Sequence, residues 1–417
     1  MFLKRIALKD FKNLGNIELS FDCGNSKNRK WTLILGENGT GKSNMLKSIA
    51  LLTAGSDALG ELLGKNDSWI RNNETSCTIE ATLQTKKGDE RAISLTINRG
   101  DTLSEIVSNN QEALRLIDDA IKNAERNYFV VGYGASRRLS NDALSGFEKS
   151  RYSGRSVNVR NLFDGSFSLN PLTSWVIDLD YRAGEEGITI VREALNDFLP
   201  DTAFHSINKD KKQVMFQTAD GIIPLEQLSE GYQNMAAWIG DLLFRVTETF
   251  KDYKKPLEAR GLLLIDEVDL HLHPKWQRKL IDFLSNKLPH FQVVATTHSP
   301  LTAQQADTGE LYALKRNENN EIEIIPFVGS PKTLLVNQLL MTPVFGLETD
   351  ESLEVEKAKN EYDDLKSKEG NLSEEEKKKL KEVKEKLKKT LPKRTRPLTT
   401  DKEMALLQKI ESKLNAR

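Results

Sequence analysis

The chain has 417 residues, 38% of them hydrophobic and 29% charged, with a formal net charge of −1. That profile suits a globular protein carrying a solvated helical segment. No run of about eighteen uncharged apolar residues occurs, and the opening MFLKRIALKDFKNLG is too broken by charge for a signal peptide, so a cytoplasmic protein that does not enter membranes is expected. Cys23 and Cys77 are the only cysteines, which excludes a disulfide framework or a cysteine-rich zinc site.

Residues 2–21 alternate apolar and polar side chains about a turn at 13–16, which predicts a β-hairpin. TLILG at 32–36 is a short buried strand running into a glycine-rich loop, and SNMLKSIALLTAG after it has helical periodicity. Two alternating strands follow at 76–98, so an antiparallel sheet packed on a core is expected. QEALRLIDDAIKNAE predicts a helix and NYFVVGYGA a buried strand. Residues 139–170, rich in Ser, Gly, Asn and Arg, predict a mobile surface loop. PLTSWVIDLDYRAG and ITIVREALNDFLP predict two helices, and residues 203–225 a hairpin. A helix over 230–250, the apolar run LLLI at 262–265, a helix in HPKWQRKLIDFLSNKL and the strand QVVATTH complete this part.

Near 353–389 two helices flank Gly370, with Leu380, Val383, Leu387 and Leu391 as a narrow apolar seam and Ser373 with Glu376 as a capping box. A last helix is predicted over 402–415. Between Lys377 and Arg396 eleven Lys or Arg face two Glu, a local balance of +9. Such a run is either a solvated helix face or a surface for nucleic acid or an acidic partner.

Residues 36–43, GENGTGKS, fit the phosphate-loop pattern. Gly36, Asn38, Gly39, Thr40 and Gly41 are expected to turn backbone N–H groups to a β-phosphate. Lys42 would reach the β and γ oxygens, Ser43 a Mg²⁺ ion, and Asn44 the bound nucleotide. The helix that follows adds free donors and a favourable dipole. LLLIDE at 262–267 ends a buried strand in two carboxylates. Asp266 suits a role as metal ligand, and Glu267 suits orienting or deprotonating a water. LSEGYQ at 228–233 puts Ser229 and Gly231 at a helix start, which is an anion site or an ordinary serine cap. His298, in ATTHSP, follows the next strand and is either a γ-phosphate contact or a loop histidine. His271 and His273 lack the further ligands a zinc site needs.

In this order, the phosphate loop, LSEGYQ, LLLIDE, VDLHLHP and ATTHSP resemble the ABC ATPase superfamily, in its RecF/SMC-like (AAA_15/AAA_21) branch, over about residues 1–345. The resemblance implies an α/β fold: an ABC-type head with a mixed sheet core, an antiparallel β subdomain and a helical subdomain. A helical or loop insertion falls at about 101–205, and residues 346–417 form a C-terminal helical hairpin and basic tail. It further implies that Ser229 and Gly231 of one subunit complete the pocket of another around two ATP·Mg²⁺. Catalysis would fall to Glu267, His298 and Lys42. Asp269 would touch the opposite subunit, and Lys12 and Asn13 the nucleotide. The Glu230 position is usually glycine in that signature. No glutamine loop is evident, and residues 132–137, GYGASR, take its place with a serine or an arginine.

YGASR at 133–137, LSEGYQ and PVFGLET at 343–349 are similar to the ATPases of bacterial anti-phage systems, among them the Septu ATPase PtuA and its retron-associated relatives. That likeness implies a homo-oligomer restraining or licensing an HNH-type nuclease partner, with DNA as a further partner. The five histidines of this chain form no nuclease site of their own. Two alternatives stay open: a RecF-like DNA-binding repair ATPase, and an ATP-sensing switch with little turnover.

Overall fold

Residues 1–22, 28–85, 88–137, 154–199, 201–367 and 373–390 are described by the structure, a computed structural model. They belong to two compact units, Met1–Gly346 and Leu347–Arg417. The first unit opens with β1 (Phe2–Phe11), β2 (Gly15–Ser20), β3 (Trp31–Gly36), α1 (Lys42–Thr53), α2 (Ser56–Leu62), β4 (Ser76–Gln84) and β5 (Glu90–Asn98). Then come α3 (Leu103–Asn109), α4 (Gln111–Ala124), β6 (Val130–Tyr133), α5 (Arg155–Phe163) and α6 (Leu172–Phe198). β7 (Ala203–Asn208), β8 (Gln213–Thr218), β9 (Gly221–Pro224), α7 (Glu230–Thr249) and β10 (Gly261–Ile265) follow. The unit ends with α8 (Pro274–Gln277), α9 (Leu280–Lys287), β11 (Phe291–Thr296), α10 (Pro300–Ala303), β12 (Leu311–Arg316), β13 (Ile322–Pro326) and α11 (Val336–Leu340).

A six-stranded sheet of order β13-β12-β3-β11-β10-β6 forms the centre, parallel throughout except at β13. Its middle strands are short apolar runs buried on both faces, as parallel sheets demand. Successive side chains enter opposite cores. Leu263, Ile265, Val293 and Ala295 join one cluster with α6, α7 and the three-stranded sheet β7-β8-β9. Leu262, Leu264 and Val294 join the other, with α1 and the antiparallel sheet β2-β1-β4-β5. Each buried Leu or Ile contributes about 2 kcal/mol to holding these layers together.

The parallel register gives β3, β11, β10 and β6 a common C-terminal edge. Ile265 pairs with Ala295 and Tyr133, and Thr296 with Ile34. The loops leaving those four strands therefore converge, which is where open α/β sheets gather ligands.

Several elements depart from the sequence reading. Within the loop predicted over 139–170, residues 155–163 form α5, while 138–153 lie outside the described residues. Polar composition hides its few apolar side chains, of which Val159 and Leu162 are buried. The two helices expected across 171–200 are present as the two halves of α6, separated by the non-helical Gly184 (φ 58°, ψ −151°). The hairpin at 203–225 has a third strand, β9. The helix predicted from 273 breaks into α8 and α9, where Lys279 N–H bonds back to the Trp276 carbonyl in a tight turn. Strands β12 and β13 were not anticipated.

In the second unit, α12 (Leu353–Ser367) and α13 (Glu374–Thr390) bury Val355, Ala358, Val383 and Leu387 together. Leu380 is half-buried. Ser373 and Glu376 make the reciprocal capping bonds, at 2.8 and 3.3 Å. Lys379 pairs with Glu361 and Lys386 with Glu354, so α12 offsets part of the basic charge. Cys23, Gly370, Leu391, the end of the basic run at 391–396 and the helix predicted over 402–415 lie outside the described residues. Among the described residues no helix is long and apolar enough to cross a membrane.

Candidate functional site

The loop after β3 wraps the N-terminus of α1. Two of its glycines are dictated by space as well as by backbone angle. A Cβ on Gly36 (φ 152°) would stand 2.7 Å from the Leu314 carbonyl, and one on Gly41 (φ 95°) 2.6 Å from Leu14 Cδ2. Lys42 is buried, and its ammonium donates to the carbonyls of Gly36 (2.8 Å) and Glu37 (3.0 Å). Burial pulls its pKa below the ordinary lysine range, opposed by Asp266 and Glu267. Thr40 Oγ1 closes the loop by donating to the Glu37 carbonyl at 2.8 Å. Glu37, Asn38 and Gly39 are exposed.

Asp266 sits one residue beyond β10, with its N–H held by the Tyr133 carbonyl at 2.8 Å. Its carboxylate accepts from Ser43 Oγ at 2.5 Å and from Thr296 Oγ1 at 2.6 Å. The hydroxyl of Thr296 also accepts the Glu267 N–H at 2.7 Å. Glu267 stands in the left-handed region (φ 48°), an uncommon state for a residue with a side chain. Its carbonyl accepts from Arg137 Nη2 at 2.5 Å. The Glu267 carboxylate has no hydrogen-bond partner among the described residues and stays available.

The hydroxyl of Ser43 and the carboxylate of Asp266 are hard oxygen donors of the kind Mg²⁺ prefers, alongside waters and phosphate oxygens. Their mutual bond would open for the ion to enter. No group of three His, Cys, Asp or Glu with metal-ligand placement exists among the described residues.

The β1–β2 turn grips the phosphate loop through Asn13. Its Nδ2 donates to the Gly39 carbonyl at 2.7 Å, and its Oδ1 accepts from Asn44 Nδ2 at 2.9 Å. Lys12 turns elsewhere, with its ammonium 3.6 Å from the centroid of the Trp69 ring. Burial, then the neighbouring Lys47, brings its pKa down to about 8. Asp269 is buried and accepts from Thr297 Oγ1 in its own chain, while His271 and His273 of that loop are exposed.

His298 is exposed between two hollows. One, of about 290 Å³, is walled by Gly36, Glu37, Thr40, Lys315, Arg316 and Phe345. The other is walled by Glu267, Asp269, Leu270 and Gln277. Ser229 is the exposed N-cap of α7, and its hydroxyl does not cap the helix. Gln233 folds back to the carbonyls of Leu228 (2.7 Å) and Glu226 (3.0 Å), fixing the turn before it. Ser229 and Gly231 line a hollow with Asp201, His271, His273 and Trp276 in which no phosphate-loop residue takes part.

The fold therefore gathers residues 36–44, Asn13, Asp266, Glu267 and His298 along one sheet edge, and leaves the exposed Ser229 and the half-buried Gly231 at a different hollow. Thr296 carries no role in the sequence reading. Its signal was the threonine pair ending an otherwise apolar strand.

Residues 32–303 match the family described as "AAA domain, putative AbiEii toxin, Type IV TA system". The chain is 28% identical to a "Septu protein PtuA" of Bacillus mycoides (strain KBAB4), with 83% of this chain and 45% of that protein covered. It thus spans less than half of that relative's length. It is 25% identical to a "Retron Vc95 probable ATPase" of Vibrio cholerae serotype O1 biovar El Tor, covering 72% of this chain and 70% of that one. Among solved structures it is similar to an Smc head bound to the C-terminal winged-helix domain of ScpA, with a TM-score of 0.47, 17% identity and coverage of 79% and 98%.

Proposed function

Because this chain belongs to the AAA_21 family of ATPase domains, we propose that it binds and hydrolyses ATP with Mg²⁺ at the edge shared by β3, β10 and β11. The observation that carries this reading is the Ser43–Asp266–Thr296–Glu267 chain of hydrogen bonds beside Lys42. Lys42 leaves the loop carbonyls and turns its ammonium to the β and γ oxygens. Ser43 and Asp266 would hold a magnesium ion, whose charge would offset that on the transferred phosphoryl group. Glu267 orients the attacking water and takes its proton. His298 lies where it can meet the γ end, beside the hollow above Gly36.

The exposed Ser229, in a hollow apart from the phosphate loop, supports a composite arrangement in which two copies meet head to head. Each α7 N-terminus then presents free donors to the other copy's phosphate loop. The likeness to Septu and retron ATPases supports a role in anti-phage defence. There the chain forms a homo-oligomer that controls an HNH-type nuclease, and α12–α13 with the basic run dock that nuclease or DNA.

Mixing two inactive full-length variants, Lys42→Ala and Ser229→Arg, tests the composite site. Turnover should reappear in the mixture, because one pocket of the mixed pair keeps both halves intact. A mixture as dead as its components sinks the shared pocket. The docking surface is tested by ending the chain near residue 350, and intact binding of nuclease and DNA would refute it.

A further inference from the structure

Arg137 follows β6 at the sheet edge and is 5% exposed. The segment that carries it is clamped to α5 by Asn161, which accepts the Gly134 N–H at 2.8 Å and donates to the Ser136 carbonyl at 2.9 Å. The guanidinium reaches in two directions. Its Nη2 donates to the Glu267 carbonyl at 2.5 Å, and its Cζ lies 5.7 Å from the ring centroid of Trp238. Trp238 belongs to α7, the helix that begins at the exposed Ser229. The remaining Nη1 is buried with no partner among the described residues. An arginine in this setting combines a directional donor with a delocalised charge near an aromatic ring, which neither lysine nor glutamine reproduces.

Around it lie three acids, Asp266, Asp269 and Glu267. Burial lowers the guanidinium to about 10, against the pull of those acids, so it stays charged at neutral pH. The left-handed Glu267 is thus held from both sides: Thr296 takes its N–H and Arg137 its carbonyl. A backbone in that state needs surroundings that over-determine it. The second connection between the same elements is also buried. Tyr133, the last residue of β6, donates to Asp241 of α7 at 2.8 Å. Two contacts thus link α7 to the end of β6 and, through Arg137, to the backbone of Glu267.

We infer that Arg137 is a positioning residue for hydrolysis: it ties Glu267 to α7, so that seating of the Ser229 end on a facing protomer is transmitted to the carboxylate that handles water. This inference rests on the ATPase reading above. It adds a route by which assembly sets the rate, since a carboxylate displaced by even about 1 Å can cost on the order of a hundredfold in rate.

The experiment compares full-length wild type, Arg137→Gln, Arg137→Ala, Arg137→Lys and Glu267→Gln. Steady-state turnover is measured with nucleotide affinity from a fluorescent ATP analogue and with melting temperature. Arg137→Gln should lower kcat by about tenfold to a hundredfold, with affinity within about twofold of wild type. Arg137→Ala should regain part of its turnover in millimolar guanidinium, and Arg137→Lys should fall between. Turnover of Arg137→Gln equal to wild type, beside an inactive Glu267→Gln, overturns the inference and leaves the ATPase reading standing. Equal losses of kcat, affinity and melting temperature without guanidinium rescue overturn it too, by showing a packing role. A wild type that does not hydrolyse ATP removes both. Should the glutamine and alanine variants fail to fold, the lysine variant carries the same kcat-against-affinity comparison.

Discussion

Ser43 and Asp266, 223 positions apart in the chain, share a hydrogen bond of 2.5 Å. The phosphate loop and the acidic end of β10 are thereby joined before any ligand arrives. Under the proposed function, a cation opening this bond would exchange one hydroxyl–carboxylate contact for two oxygen ligands.

Thr296 sustains that arrangement by donating to Asp266 while accepting from Glu267. Thr296→Val keeps the shape and removes both bonds. The Glu267 N–H loses its acceptor, which should cost about 1–3 kcal/mol of stability. Turnover should fall, and the Mg²⁺ concentration giving half-maximal activity should rise. Magnesium titration of turnover checks this, and a curve overlaying that of wild type would mean the two bonds are incidental.

Glu267→Gln keeps side-chain volume and removes the base. Turnover should drop by about a hundredfold or more, while ATP binding persists and a nucleotide-bound dimer accumulates. Light scattering coupled to size exclusion reads the mass. A variant with the mass and nucleotide content of wild type would refute a dimer that hydrolysis releases.

Asp241 and Arg245 form an ion pair with side-chain exposures of 0% and 2%, bonded at 2.6 and 3.1 Å. Arg245→Met strands the carboxylate in the core and should destabilise the fold by about 3 kcal/mol or more. Asp241→Asn combined with Arg245→Met should cost less than the two separate effects added. Denaturant melts of the set measure the difference, and strict additivity would show that the pair does not act as one unit.

Cys77 lies on β4 and is buried in the core beneath the antiparallel sheet, and burial pushes its thiol up to about 12. At pH 8 the reactive thiolate is then scarce. In a Cys23→Ser background, a thiol reagent should leave the folded protein unlabelled and react only after denaturation. Rapid labelling of the native protein would show that this core opens.

Much of the fold was legible because hydrophobic period and turn chemistry agree locally. The runs TLILG and LLLI became β3 and β10 because they are short, apolar and bounded by glycine or acid. α5 was hidden because its buried face consists of few side chains in a polar segment. The break between the two halves of α6 was legible, because glycine alone takes the φ of 58° found at Gly184 without strain. Lys12 and Asn13 are neighbours in one turn, and nothing local says that Asn13 grips Gly39 while Lys12 covers Trp69.

By itself the sequence determined the chemistry available: a glycine-rich loop ending in Lys42 and Ser43, two acids closing an apolar strand, and a serine opening a helix. Those features are local, because backbone freedom, hydrophobic run length and helix capping act over a few residues. Only the tertiary structure decided that Thr296 bridges Asp266 and Glu267, and that Arg137 joins Glu267 to Trp238. Both depend on strands distant in sequence becoming neighbours in a parallel sheet, whose register sets which side chains emerge together at its edge.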